Sequence, residues 1–183
     1  WEDGGQIVPP VDSRLTEEID KVEYSEIKFK KNKNLIHTLD SSIEKLYVEK
    51  SLSFFNKLYS NSEKNLKIVF TSLHGTSYKL IPNLLKKTGF SELKLVDKQM
   101  IPDGNFTHAK SSNPEDKLAL IDAIEIAKKN NSDLVIGTDP DADRFGIVVK
   151  DFNGDFVQIN GNQSMIVLTC LLYTSPSPRD TNE

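Results

Sequence analysis

The chain has 183 residues, 37% of them hydrophobic and 27% charged, with a formal net charge of −4; this is the composition of a globular domain with connecting pieces, and it excludes a chain disordered throughout. The acidic balance argues against a nucleic-acid partner, and the one basic cluster, Lys28, Lys30, Lys31 and Lys33, reads as a solvated face. Cys170 is the single cysteine, so no internal disulfide is expected. With no signal-peptide pattern the expected location is the cytoplasm, and the longest apolar stretch, residues 165–173, is broken by Thr169 and too short to engage a membrane as a span.

The opening phrase, Trp1 through Pro10, reads as a strand-to-turn segment without an initiator Met, so a fragment of a longer protein is expected. Residues 12–20 predict a short helix with Ser13 as N-cap, and residues 24–36 an extended connector. From Ser41 onward Ile43, Leu46, Tyr47, Leu52, Phe54, Phe55 and Leu58 return at helical spacing, predicting a helix that ends near Asn61. Residues 66–71 then predict a strand, 78–88 a helix closed by Gly89, and 93–96 a second strand. The turn-rich stretch 99–112 is too long for a mere connector and is expected to be functional. A helix is predicted from Asn113 as N-cap and Pro114 at its first position through about Lys129, with Leu118, Leu120, Ile121, Ile124 and Ile126 on its buried side. A strand over 134–137, a hairpin of Phe145–Lys150 with Phe156–Ile159 and an apolar helix over 163–173 complete the order. The last ten residues, 174–183, carry two prolines and read as a non-native tail. Alternating strands and helices place the chain in the α/β class, with the loops after Thr71 and Gly137 at one sheet edge.

Two of these loops carry chemistry. The first, Thr71-Ser72-Leu73-His74-Gly75-Thr76-Ser77, is a strand-to-helix turn whose backbone amides suit an anion, which makes His74 and Gly75 candidate phosphate-side residues. A plain N-cap by Thr76 or Ser77 explains the same residues, and His74 is read first as a packed or hydrogen-bonded histidine. The loop lacks the Gly-Lys-Thr/Ser of a Walker sequence and the second glycine of a nucleophile elbow.

The second is Gly137-Thr-Asp-Pro-Asp-Ala-Asp-Arg144, in which Asp139, Asp141 and Asp143 alternate directly after an apolar run. In an extended segment side chains two apart share a side, so the three acids are expected to converge on a divalent cation. Hard oxygen ligands suit Mg²⁺ or Ca²⁺ rather than zinc or copper. Pro140 stiffens the loop, Ala142 leaves room for the ion and its cargo, and Arg144 supplies a planar fork of donors for a phosphate or carboxylate. Three rivals stand beside this reading: a solvated acidic turn, an EF-hand, and a phosphatase with Asp139 as nucleophile and Asp141 as acid. The EF-hand fails because its sixth position is Arg144 instead of Gly and its twelfth is Lys150 instead of Glu.

As a set, four phrases in this order resemble the α-D-phosphohexomutase family, the phosphoglucomutases and phosphomannomutases: Gly4-Gly5-Gln6-Ile7-Val8-Pro9-Pro10, Thr71-Ser72-Leu73-His74-Gly75, Ser112-Asn113-Pro114-Glu115 and Asp139-Pro140-Asp141-Ala142-Asp143-Arg144. The resemblance implies a three-layer α/β/α domain II with a mixed, mostly parallel four-stranded sheet over residues 41–160. It makes residues 1–40 the end of domain I with its linker and 161–173 the start of domain III. It further implies reversible phosphoryl transfer between C1 and C6 of a hexose phosphate through a phosphoserine and a hexose bisphosphate. Mg²⁺ would be held by Asp139, Asp141 and Asp143, and Arg144 would face the phosphoserine or substrate. The family's Ser-His-Asn-Pro loop does not occur in this sequence, and Thr107-His108 stands where many members have Pro-Thr. The chain alone is therefore expected to be inactive. A non-catalytic cation-binding module is the alternative from another class.

Overall fold

The computed structural model describes residues 1–59 and 64–174 of the chain, which divides into two compact units, Trp1–Asp40 and Ser41–Glu183. In the first unit, helix α1 spans Val11–Asp20 and buries none of its residues. Pro10 takes the capping position expected of Ser13, which lies inside the first turn with its N–H donating to the Asp12 carboxylate at 2.6 Å. Proline fits there because it brings no N–H that a helix start would have to satisfy. The connector is not extended throughout, since residues Tyr24–Glu26 and Lys33–Leu35 form 3₁₀ turns. Side chains close both: Glu26 accepts from Glu23 N–H at 3.1 Å and Asn32 from Asn34 N–H at 3.1 Å.

The second unit is built on one mixed sheet of strands β1 (Ile68–Thr71), β2 (Leu93–Leu95), β3 (Leu134–Thr138), β4 (Phe145–Lys150) and β5 (Phe156–Ile159), in the order β2-β1-β3-β4-β5. β1 runs parallel to β2 and β3, whereas β3–β4 and β4–β5 are antiparallel. The α/β class and mixed sheet are as expected, but there are five strands, not four. The hairpin joins the sheet because β4 pairs with β3 residue for residue, from Leu134 opposite Val149 to Thr138 opposite Phe145.

The helices of this unit are α2 (Ser41–Tyr59), α3 (Leu80–Lys87), α4 (Ile121–Lys129) and α5 (Gly161–Thr174). Right-handed crossovers through α3 in one direction and α4 in the other put these two helices on opposite faces of the sheet. Val69, Val135 and Val148 lie side by side across three strands and form one core with Ala119, Leu120, Ala123 and Ala127. The alternate residues Ile68 and Phe70 point to the other face and are equally buried. Gly89 ends α3 as expected, at φ +102° with Phe90 N–H bonded to the Leu85 carbonyl.

Three expectations are corrected. Helix α4 begins at Ile121; residues 113–120 make successive tight turns, Asp116 N–H to Asn113 carbonyl at 2.9 Å and Ala119 N–H to Asp116 carbonyl at 3.0 Å. Asn113 and Asp116 drive this by accepting from Glu115 and Leu118 N–H with their own side chains. Leu118 is consequently exposed, whereas Leu120 is buried as expected and joins the alanines at four-residue spacing in the contact with the sheet. In α2 the anticipated stripe is the packed face only in part: Ile43, Leu46, Tyr47 and Phe54 are at least half exposed, whereas Leu52 and Phe55 are half-buried beside the buried Val48, because the 19-residue helix packs on an α3 of eight residues. The expected end of α2 near Asn61 and the tail beyond residue 174 lie outside the described residues. No helix among the described residues is long and apolar enough to cross a membrane.

Candidate metal centre

The carboxyl ends of β1 and β3 lie next to each other, Thr71 opposite Gly137. From there the chain leaves β1 into α3 and β3 into the β4 hairpin, which opens a crevice at the kind of place where α/β sheets bind ligands. The two candidate loops meet here. An added Cβ on Gly75 would lie 2.5 to 2.8 Å from the backbone of Pro140, so only glycine permits this approach. Thr76 N–H bonds the Pro140 carbonyl at 2.8 Å and the Thr76 hydroxyl reaches it at 3.1 Å.

Asp139, Asp141 and Asp143 each offer an oxygen within 4.8 Å of the others. Their convergence does not come from an extended backbone, the basis on which the sequence predicted it. Residues 139–142 form a turn, Ala142 N–H to Asp139 carbonyl at 3.1 Å, with Ala142 at φ +65°. A small residue tolerates that left-handed conformation at less cost than a branched one. The base of the loop is closed by Arg144. Its N–H and Nε–H donate to the two oxygens of Asp139 at 3.0 and 2.9 Å, and Asp139 N–H returns a bond to the Arg144 carbonyl at 3.2 Å.

Burial pushes the Asp139 carboxyl up, but the Arg144 amide and guanidinium together with a hydrogen bond from Asp143 outweigh it and hold it below the usual carboxylate range. The opposite holds at Asp143, where the hydrogen bond to Asp139 and then the charge of Asp141 raise its pKa. Arg144 is itself held more firmly protonated by Asp139. The result is an all-oxygen donor set with one fully buried, ionised member and two exposed ones under mutual repulsion. A hard divalent cation fits it, since that charge would relieve the repulsion. Nucleophilic attack by Asp139 finds no support, because its side chain is 1% exposed and both oxygens accept from Arg144. Beside the loop a cavity of about 300 Å³ is lined by Glu115, Asp143, Arg144, Phe145 and Met165 among others.

His74 is not brought to the carboxylates. Its Nδ1 lies 2.7 Å from the Ile101 carbonyl, so Nδ1–H donates there, and Nε2 accepts from His108 N–H at 3.0 Å. Both nitrogens are thus spent on the 99–112 loop in the neutral form. Leu73 and His74 have φ of +46° and +65°, an unusual pair for side-chain-bearing residues. Gln99 holds them there. It is 1% exposed; its carbonyl accepts from Ser72 Oγ and His74 N–H, its Oε1 from the Thr71 hydroxyl at 2.7 Å, and its Nε2 donates to the His108 carbonyl at 2.7 Å. Sequence reasoning missed Gln99. The available signal was a glutamine between Val96 and Met100, both buried, at the head of a loop too long to be idle.

Comparison with known proteins gives one family. The profile of the phosphoglucomutase/phosphomannomutase α/β/α domain II matches residues 45–154. A phosphoglucomutase of Staphylococcus epidermidis is 37% identical over 167 residues, covering 88% of this chain and 30% of the relative. A phosphoglucomutase of Staphylococcus aureus is 50% identical over 101 residues, 55% of this chain and 18% of that protein. The chain thus spans less than a third of the length of these curated relatives. A solved Thermus thermophilus structure described as a phosphomannomutase shares the fold with a TM-score of 0.57 at 21% identity, over 75% of this chain and 29% of that one.

Proposed function

Because this chain belongs to the phosphoglucomutase/phosphomannomutase family, we propose that it is the cation-holding α/β/α domain II, residues 41–160, of an enzyme that moves a phosphoryl group between C1 and C6 of a hexose phosphate. On this reading residues 1–40 finish domain I, α5 opens domain III, and the enzyme works in the cytoplasm through a phosphoserine donor and a hexose bisphosphate intermediate. The observation that carries it is the convergence of Asp139, Asp141 and Asp143 within 4.8 Å at the carboxyl edge of the sheet, with Arg144 alongside.

Phosphoryl transfer asks a protein chiefly for positioning and for opposite charge around the transferring group. Asp139, Asp141 and Asp143 would hold Mg²⁺, which when bound supplies that charge. Arg144 has two tasks. Its Nε fixes Asp139, and the rest of its guanidinium, on a side chain 61% exposed, is open to donate to a phosphate or sugar oxygen. Gly75 serves by letting the β1–α3 turn pass under Pro140, and His74 by fastening the 99–112 loop to that turn. The test is conversion of glucose 1-phosphate or mannose 1-phosphate by the protein carrying its flanking domains. Activity is expected to be Mg²⁺-dependent and to fall at least a hundredfold in Asp141→Asn. Metal-independent turnover, or hydrolysis of a simple phosphate ester by the 183-residue chain alone, would refute the proposal.

A further inference from the structure

Asp139, the buried member of the triad, is tethered on both sides by the β1–α3 turn. One residue before it, Thr138 Oγ1 shares a buried hydrogen bond of 2.6 Å with Ser77 Oγ. One residue after it, the Pro140 carbonyl accepts from both the N–H and the hydroxyl of Thr76, and Gly75 lies against the same backbone. Three consecutive turn residues therefore grip the peptides that flank the carboxylate. Arg144 does not do this, because its bonds to Asp139 stay within the β3–β4 loop and do not reach the β1–α3 turn.

We propose that Thr76 and Ser77 are positioning residues of the cation site, fixing where Asp139 stands relative to Asp141 and Asp143 and so setting the affinity for a divalent cation. The inference rests on the cation reading of the triad. Thr76 is the informative residue. Its side chain is exposed, and its N–H already satisfies the Pro140 carbonyl, so the hydroxyl adds a second bond that hydrogen-bond satisfaction does not require. A valine of the same shape leaves no buried polar atom unpaired; what it removes is restraint. Groups that orient metal ligands typically change affinity by about 10- to 100-fold, and a tether acting one residue from the ligand is expected near the lower figure.

The experiment is Mn²⁺ binding to the 183-residue chain, by calorimetry and by the spin-resonance signal of free Mn²⁺, for the parent sequence, Thr76→Val, Thr76→Ser and Ser77→Ala. Thr76→Val and Ser77→Ala are expected to weaken binding about tenfold with the melting temperature in chelator unchanged for Thr76→Val, and Thr76→Ser to bind like the parent. Parent-like binding by both Thr76→Val and Ser77→Ala would overturn the positioning role while leaving the cation site standing. Weak binding by Thr76→Ser would assign the effect to the methyl group and overturn it equally. If Thr76→Val does not fold, Ser77→Ala decides by the same criterion. Absence of Mn²⁺ binding by the parent chain would remove the cation reading and this inference with it.

Discussion

Replacing Gln99 by methionine keeps the volume of a fully buried side chain and deletes its amide hydrogen bonds, two short ones and a longer one to Asp122. The Thr71 hydroxyl loses its acceptor at 2.7 Å in a buried site, and the His108 carbonyl loses a donor at 2.7 Å in a partly buried one. A buried group left unpaired costs about 1–3 kcal/mol, and the second loss is softened by access to water, so the variant is expected to be roughly 2–4 kcal/mol less stable. That is a large share of the 5–15 kcal/mol typical of a domain, and corresponds to a melting temperature lower by about 6–15 °C. Urea unfolding followed by far-UV circular dichroism measures it, with the dependence on urea unchanged if only the native state is affected. Glutamate is the sharper companion. It retains an acceptor for Thr71 but turns an acceptor toward the His108 carbonyl and toward Asp122, whose carboxylate lies 3.4 Å from Gln99 Nε2. At neutral pH the expected order is Gln, then Met, then Glu, with Glu recovering in acid as its carboxyl gains a proton to donate. A Met variant within about 0.5 kcal/mol of the parent, smaller than any lost buried hydrogen bond, or a Glu variant as stable as Gln, would refute the assignment of Gln99 as the brace of the two loops.

Gly75→Ala is expected to cost about 1–3 kcal/mol by overpacking against the Pro140 backbone and to weaken Mn²⁺ binding, whereas Gly104→Ala, whose added Cβ meets nothing within 4 Å, changes neither. Asp141→Asn is expected to abolish measurable Mn²⁺ binding while leaving the melting temperature in chelator unchanged or higher, since the Asp141 charge is among the causes that raise the Asp143 pKa. Asp103 has its pKa lowered to about 2 by the Thr107 side chain and the Asn105 and Thr107 amides. A carboxyl depressed below its unfolded value of about 3.9 stabilises the fold above that pH and loses the contribution as pH falls through its folded value. Protection of the amides of residues 105 and 107 against exchange, relative to an unstructured chain at the same pH, should therefore fall between about pH 4 and 2, the window set by those two values, and Asp103→Asn should remove that dependence; an Asp103 signal titrating near the ordinary carboxylate value would contradict it.

The convergence of the three carboxylates was legible from residue types. Three aspartates at alternate positions followed by arginine offer donors to a cation and to an anion, and this is the basis of the proposal above. The reason given for their convergence failed all the same, because alternation fixes direction in a strand and these residues form a turn around Ala142. The strands were legible from their apolar content, since β1 is buried at every position. Helix α4 was misjudged for a related reason. Of the large apolar residues expected on its buried face, Leu120 lies in the core and Ile124 and Ile126 pack against it, but Leu118 is exposed; the alanines Ala119, Ala123 and Ala127 that join Leu120 on the three in-register valines were overlooked, because a smaller side chain leaves a weaker periodic trace.

What no local pattern contains is the pairing of distant segments. Gln99 matters because it stands where Thr71, Ser72, His74 and His108 can all reach it, and Gly75 matters because Pro140, far along the chain, passes against it. Both follow from one topological fact: β1 and β3 are neighbours in the sheet although α3, β2 and α4 lie between them in the chain. The parallel register that sets Thr71 against Gly137 fixes the distance between the two loops to within a side chain. A glycine in the first loop is then demanded by the position of the second. This also explains why His74 is the hydrogen-bonded histidine that the sequence first suggested. Two adjacent residues held at positive φ need partners on both sides, and the imidazole supplies one to Ile101 and one to His108. The loop that carries the carboxylates is braced within itself by Arg144, and across to the β1–α3 turn by hydroxyls and a backbone amide, groups that add no charge of their own.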